Sequence, residues 1–146
     1  MKPYQNILCA TDFSQYSQVA SERAAELAQY YGAQLTLLHV VDHFPEDRSN
    51  EQIAPENADP TAYRKEQAHA SLTELARHLG QSDARKEVRF STYSAQHEIL
   101  HVAKEWGVDL IVLATHGHFG ITAILGSTAN GVMQSAPCDV LAVRAS

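Results

Sequence analysis

Three short stretches hold residues whose types and spacing could do chemistry. Ala10-Thr11-Asp12-Phe13-Ser14 sets a hydroxyl, a carboxylate and a second hydroxyl directly after an apolar run. Asp12 could accept hydrogen bonds from a ribose or hold a magnesium ion. It could equally cap the helix that follows, and Thr11 and Ser14 carry the same ambiguity. The other two stretches are Ala114-Thr115-His116-Gly117-His118-Phe119-Gly120 and Gly126-Ser127-Thr128. Gly117, Gly120 and Gly126 permit positive φ and close backbone approach. Where Ser127 or Thr128 opens a helix, free N–H groups, hydroxyls and the helix dipole can hold an anion such as phosphate. A plain helix cap with glycine turns would use the same residues, so both readings stand on residue type alone. His116 or His118 beside a phosphate is a separate option.

Other chemistries find less support. His97 and His101 stand four apart on one expected helix, and His116 and His118 flank Gly117. Neither pair has an identified third ligand, so no metal site is expected. There is no Gly-x-Ser-x-Gly elbow and no Walker A lysine. Without a lysine or arginine clamp, efficient phosphoryl transfer lacks its usual charge stabilisation. No catalytic residue is therefore assigned, and weak ATP hydrolysis is the most that is expected. A phospho-accepting receiver would want an aspartate ending the third strand and a lysine ending the fifth; Ser91-Thr92-Tyr93 and Arg144 do not fit that pattern.

The elements that must position these residues alternate between two periods. Ile7 to Ala10, Leu35 to Val41, Val88 to Tyr93, Asp109 to Ala114 and Val140 to Val143 read as strands, and several are continuously apolar, as strands covered on both faces are. Between them lie helical stripes. Ala20, Ala24, Leu27, Ala28 and Tyr31 follow a Ser14 cap and stop at Gly32. Asp59-Pro60 reads as a cap and first helical residue, leading to Ala68, Leu72, Leu75, Ala76 and Leu79 before Gly80. Ser94 caps a third helix with Ile99, Val102, Ala103 and Trp106 inward and Gly107 as its stop. A last short helix, opened by Ser127 or Thr128 and ended by Pro137, carries Val132, Met133 and Ala136. This order predicts one α/β domain over residues 1–146, a doubly wound (Rossmann-like) parallel sheet with helices on both faces. In such sheets ligands bind beyond the carboxyl ends of the strands at the switch in strand order. With order 3-2-1-4-5, the first and fourth strands are neighbours there, and the Thr11 and Ala114 loops face each other.

Composition narrows the partners. The chain has 146 residues and a formal net charge of −6, which leaves no Lys/Arg patch to neutralise nucleic acid or grip an anionic membrane. Residues 42–60 carry six acids against Arg48 alone, with three prolines and no period. They read as a solvated acidic connection, with a mobile lid over a ligand as the alternative. Two cysteines, Cys9 and Cys138, lie in or beside apolar runs and read as reduced core residues. The N-terminus lacks the apolar stretch of a secretory signal, and no run is long enough to span a membrane. A cytoplasmic location is expected.

Asn6-Ile7-Leu8-Cys9-Ala10-Thr11-Asp12-Phe13-Ser14, Leu38-His39-Val40-Val41, Val108 to Gly117, Gly126-Ser127 and Pro137-Cys138-Asp139-Val140-Leu141 together resemble the universal stress protein family over nearly the whole chain. The resemblance implies a five-stranded parallel sheet, dimers and, in one branch, bound ATP, with or without Mg²⁺. That branch surrounds the ribose and phosphates with Gly-x-x-Gly, nine residues and Gly-Ser/Thr. Here the second glycine matches Gly117, and Gly126-Ser127 match the distal pair. Ala114 replaces the first glycine, and eight residues intervene instead of nine. By the same matching, Thr11 and Asp12 would lie near the nucleoside and the Val40 backbone would read the adenine edge. The implied role is a nucleotide-binding sensor or regulator in stress response, dimeric through the strand Asp139 to Arg144. Two alternatives remain: a module of the same fold working by protein contacts without nucleotide, and a weak ATPase or phospho-accepting protein.

Overall fold

A computed structural model of the chain describes residues 2–42, 60–91, 93–115 and 127–144. The expected alternation is present: β1 (Asn6–Ala10), α1 (Gln15–Tyr31), β2 (Gln34–Asp42), α2 (Pro60–His78), β3 (Arg85–Ser91), α3 (Ala95–Glu105), β4 (Leu110–Ala114), α4 (Ser127–Ser135) and β5 (Asp139–Val143). The five strands form one parallel sheet in the order β3-β2-β1-β4-β5. The acidic connection reads out as a segment only in sequence, because residues 43–59, Asp59 among them, lie outside the described residues. Pro60 is the first residue of α2, where its missing N–H and fixed φ cost nothing.

Two cores lie on opposite faces of the sheet because side chains alternate along each strand. Ile7, Cys9, Leu35, Leu37 and Val112 face α1 and α2, against Ala20, Ala24, Ala28 and Leu72. Leu8, Leu38, Ile111 and Leu113 face α3 and α4, against Ile99, Val102, Ala129 and Val132. The alanine stripe of α1 lets that helix lie close to the strands. Leu37 and Leu38 are both fully buried, one in each core. Truncating either to alanine would cost about 2–5 kcal/mol through lost transfer energy and the cavity left behind. Burial alone pushes the Cys9 thiol up to about 12, so it stays protonated and acts as a small apolar filler.

The helix stops work as the sequence predicts. Gly32 takes φ 66°, and the N–H of Ala33 reaches back to the Ala28 carbonyl at 2.9 Å, closing the helix in the left-handed manner that glycine favours. Gly80 and Gly107 repeat this arrangement after α2 and α3.

Two expectations need correction. β3 begins at Arg85, three residues earlier than the apolar pattern suggests, and ends before Tyr93. Among the described residues it is an edge strand, and its first residues Arg85, Lys86 and Glu87 can carry charge because no described strand pairs with its outer side. On α4, Ala129 and Val132 fill the inner face and Met133 is exposed. Trp106 caps α3 half-buried instead of facing fully inward, and the Arg85 guanidinium lies over its ring at 4.5 Å. On α1, Leu27 is half-buried, and Tyr31 sits at the margin with its ring edge-on to Tyr4 at 5.2 Å.

Candidate functional site

β1 is followed by a helix on one face of the sheet, and its neighbour β4 leads to α4 on the other. The chain therefore leaves the carboxyl ends of these two strands toward opposite faces, the switch point at which sheets of this kind form a ligand crevice. The β1–β4 register pairs Ile7 with Leu110 and Cys9 with Val112. Continued two residues further, it sets Thr11 beside Ala114. On the other side of β1, Ala10 pairs with Leu38, and the Thr11 N–H donates to the Leu38 carbonyl at 2.9 Å. Thr11, Asp12, Val40 and Ala114 thus gather at one end of three adjacent strands.

The turn after β1 is held by a dense set of short-range bonds. Thr11 is buried; its hydroxyl accepts from the Phe13 N–H at 3.0 Å and lies 2.9 Å from the Ser17 hydroxyl. An Asp12 carboxylate oxygen accepts from the Ser14 N–H at 3.0 Å. The Ser14 hydroxyl accepts from the Ser17 N–H at 3.2 Å, so Ser14 is the cap of α1. Asp12 supports that cap from outside the helix and remains half-buried at the crevice. Between them, Phe13 takes φ 63°, the sole non-glycine residue at positive φ among the described residues. A left-handed phenylalanine costs about 1–2 kcal/mol, which the surrounding bonds must offset.

One side chain without an assigned role in the sequence completes this corner. His39 reaches from β2 with Nδ1 2.8 Å from the Thr11 carbonyl oxygen. A carbonyl can only accept, so Nδ1 carries the proton and donates. The His39 ring also lies against Phe13, with centroids 4.6 Å apart and planes tilted by 41°. The available signal was a ring-nitrogen residue inside the apolar run Leu35 to Val41, close to the carboxyl end of its strand.

On the β4 side, Ala114 ends its strand half-buried and packs with Leu141 and Val143 against the core on the α1 face. Thr115 is buried and its N–H donates to the Val143 carbonyl at 3.0 Å. Val40 packs against the opposite core. α4 begins at Ser127, so Ser127 and Thr128 are its first two residues, exposed and half-buried respectively. His116, Gly117, His118, Gly120 and Gly126 lie outside the described residues. Among the described residues, no three His, Cys, Asp or Glu side chains cluster as a metal site would need. His97 and His101 do share a face of α3, where His101 lies 3.7 Å from Glu105.

The sheet order, the loop after β1 and the start of α4 can be compared with known proteins. The universal stress protein family model matches residues 3–144. The chain belongs to the universal stress protein family. A similar curated family member is universal stress protein A homolog 1 of Coxiella burnetii, 36% identical over 140 residues that cover 96% of each chain. Among solved structures, universal stress protein UspA from Lactobacillus plantarum superposes with a TM-score of 0.74 at 27% identity, covering 99% of this chain and 100% of that one. Two more distant family structures share the fold. One is a universal stress protein in complex with cAMP, with a TM-score of 0.71, 22% identity, and coverage of 99% and 100%. The other is the universal stress protein from Archaeoglobus fulgidus in complex with dAMP, with a TM-score of 0.64, 18% identity, and coverage of 97% and 98%. No described helix is long and apolar enough to cross a membrane.

Proposed function

We propose that this universal stress protein binds ATP or a related adenine nucleotide in the crevice between the ends of β1 and β4, and acts as a dimeric sensor or regulator in stress response. The observation that carries the reading is the turn Thr11–Ser14, a strained loop held by the Phe13 N–H to Thr11 hydroxyl and Ser14 N–H to Asp12 bonds at the switch point of the sheet. Asp12 would accept from the ribose hydroxyls, with Thr11 beside it, and the Val40 backbone would read the adenine edge. Gly126, Ser127 and Thr128 would hold phosphate with amides and hydroxyls at the start of α4, aided by the helix dipole. Gly117 and Gly120 would let the backbone approach, and His116 and His118 would add donors. Mg²⁺, when present with ATP, would neutralise phosphate charge, with Asp12 as the carboxylate nearest to hand. The donor set fits such a ligand. Ala114, the departure from the family's glycine pattern, is half-buried against the core on the α1 face. The likeness to family structures that hold cAMP and dAMP supports an adenosine monophosphate unit as the common element.

The dimer would form through β5. It is the last strand of the sheet, its far edge has no partner strand among the described residues, and Val140 to Val143 are only half-buried. Pairing with the same strand of a second copy would hide both edges. A cytoplasmic location accords with this reading.

A second reading is a module that works by protein contacts alone, favoured by Ala114 and the eight-residue spacer. Isothermal titration with MgATP separates the two. The expected result is saturable binding near one nucleotide per chain, and absence of heat together with nucleotide-free acid supernatants would sink the first reading. Sedimentation at micromolar concentration is expected to give the mass of a dimer, and a monomer mass would overturn the β5 assignment.

A further inference from the structure

We infer that His39 is a positioning residue, a lock reaching from β2 that holds the β1–α1 turn in its binding-competent form. This rests on the nucleotide reading above but makes a claim about the protein before any ligand arrives.

Three observations converge on it. The turn contains a phenylalanine at φ 63°, a conformation that the chain would leave unless its neighbours hold it. The local bonds that oppose relaxation, Phe13 N–H to the Thr11 hydroxyl and Ser14 N–H to Asp12, are both within three residues and can swing with the turn as one body. His39 is different: its Nδ1–H grips the Thr11 carbonyl at 2.8 Å from a strand 28 residues away, and its ring lies against Phe13. β2 itself is paired on both sides, with β1 and β3, so His39 is anchored to the rigid part of the sheet. The same imidazole thus fixes the peptide on one side of Asp12 and the side chain on the other. Asp12 is placed at the crevice by two restraints that it does not itself supply.

Two substitutions separate the hydrogen bond from the packing. His39→Asn retains a side-chain N–H where Nδ1–H stands but loses the ring. His39→Phe retains a ring against Phe13 but loses the donor; if it does not fold, His39→Leu, which loses the donor and keeps an apolar side chain of similar reach against Phe13, replaces it. Amide hydrogen exchange by NMR on the ligand-free protein reads the lock directly. In His39→Phe, the Phe13 and Ser14 amides are expected to exchange about tenfold faster or more, with the interior of α1 and the thermal midpoint little changed. MgATP affinity is expected to fall by about tenfold, and His39→Asn to restore both quantities to within about threefold of wild type. Unchanged exchange in His39→Phe would overturn the lock whatever the ligand. Faster exchange with unchanged affinity would overturn its link to binding. Should the wild-type protein take no nucleotide, the functional reading fails and the exchange arm alone still decides the lock.

Discussion

Two aspartates at opposite ends of the sheet do different work. At the amino-terminal end, Asp109 precedes β4 and accepts from the backbone N–H groups of Gln5 at 2.9 Å and Asn6 at 3.0 Å, across a sequence separation of more than 100 residues. Its own N–H donates to the Asn6 carbonyl at 3.0 Å, and the Asn6 amide donates to the Trp106 carbonyl. Asp109 is a staple that sets β1 against β4. At the carboxyl end, Asp12 follows β1 and accepts from Ser14, two residues away. That bond shapes a turn and joins nothing distant. One carboxylate shapes a strained turn at the switch point, and the other clasps the backbone amides of Gln5 and Asn6 at the far end of the sheet.

The contrast can be broken by substitution. Asp109→Ala is expected to have the largest effect on stability, about 2–3 kcal/mol in urea unfolding, because two strand amides lose a charged acceptor. Nucleotide affinity of the folded fraction should stay as it was. Asp12→Ala should do the reverse: about 1 kcal/mol in stability, with MgATP affinity down by about tenfold or more in titration calorimetry. Equal stability losses in the two variants would abolish the distinction.

Midway between the ends, Thr36 sharpens the point that polar groups here are not interchangeable. It is fully buried and its hydroxyl has no hydrogen-bond partner among the described residues. Thr36→Val keeps the shape and removes the orphan, so a gain of about 1 kcal/mol is expected in the same unfolding assay; a loss would mean that the hydroxyl has a role. The smallest effect belongs to the clasp beside Asp109, where the Tyr4 hydroxyl donates to Asp139 at 2.7 Å. That hydrogen bond, then partial burial and the carboxylate's charge, raise the phenol above its ordinary value of 10. Folding thus favours the protonated phenol, and the contribution is complete below pH 10 and fades as pH rises through the folded value. Tyr4→Phe should be slightly less stable than wild type at about pH 8, lose stability more flatly above about pH 10, and close the gap toward about pH 11. Identical slopes would remove Tyr4 from the clasp.

Much of the fold was legible because its signals are local. The left-handed stops at Gly32, Gly80 and Gly107, the Ser14 and Ser94 caps and the apolar runs of β1, β2 and β4 each follow from a few adjacent residues. The start of β3 was missed because an edge strand need not be apolar. The candidate site was legible in part. Thr11, Asp12 and Ala114 announced themselves by type and motif, and the register of β1 and β4 brings them level.

Sequence by itself determined the alternation of elements, the family and the residue types at the crevice, since periodicity, caps and motifs are properties of neighbours along the chain. It singled out Asp12 but gave no sign that Asp109, at the other end of the sheet, joins two strands. Only the tertiary structure decided that Asp109 holds β1 against β4 while Asp12 shapes the turn after β1. Only it showed His39 closing on Thr11, because a hydrogen bond between residues 28 positions apart depends on which strands lie side by side.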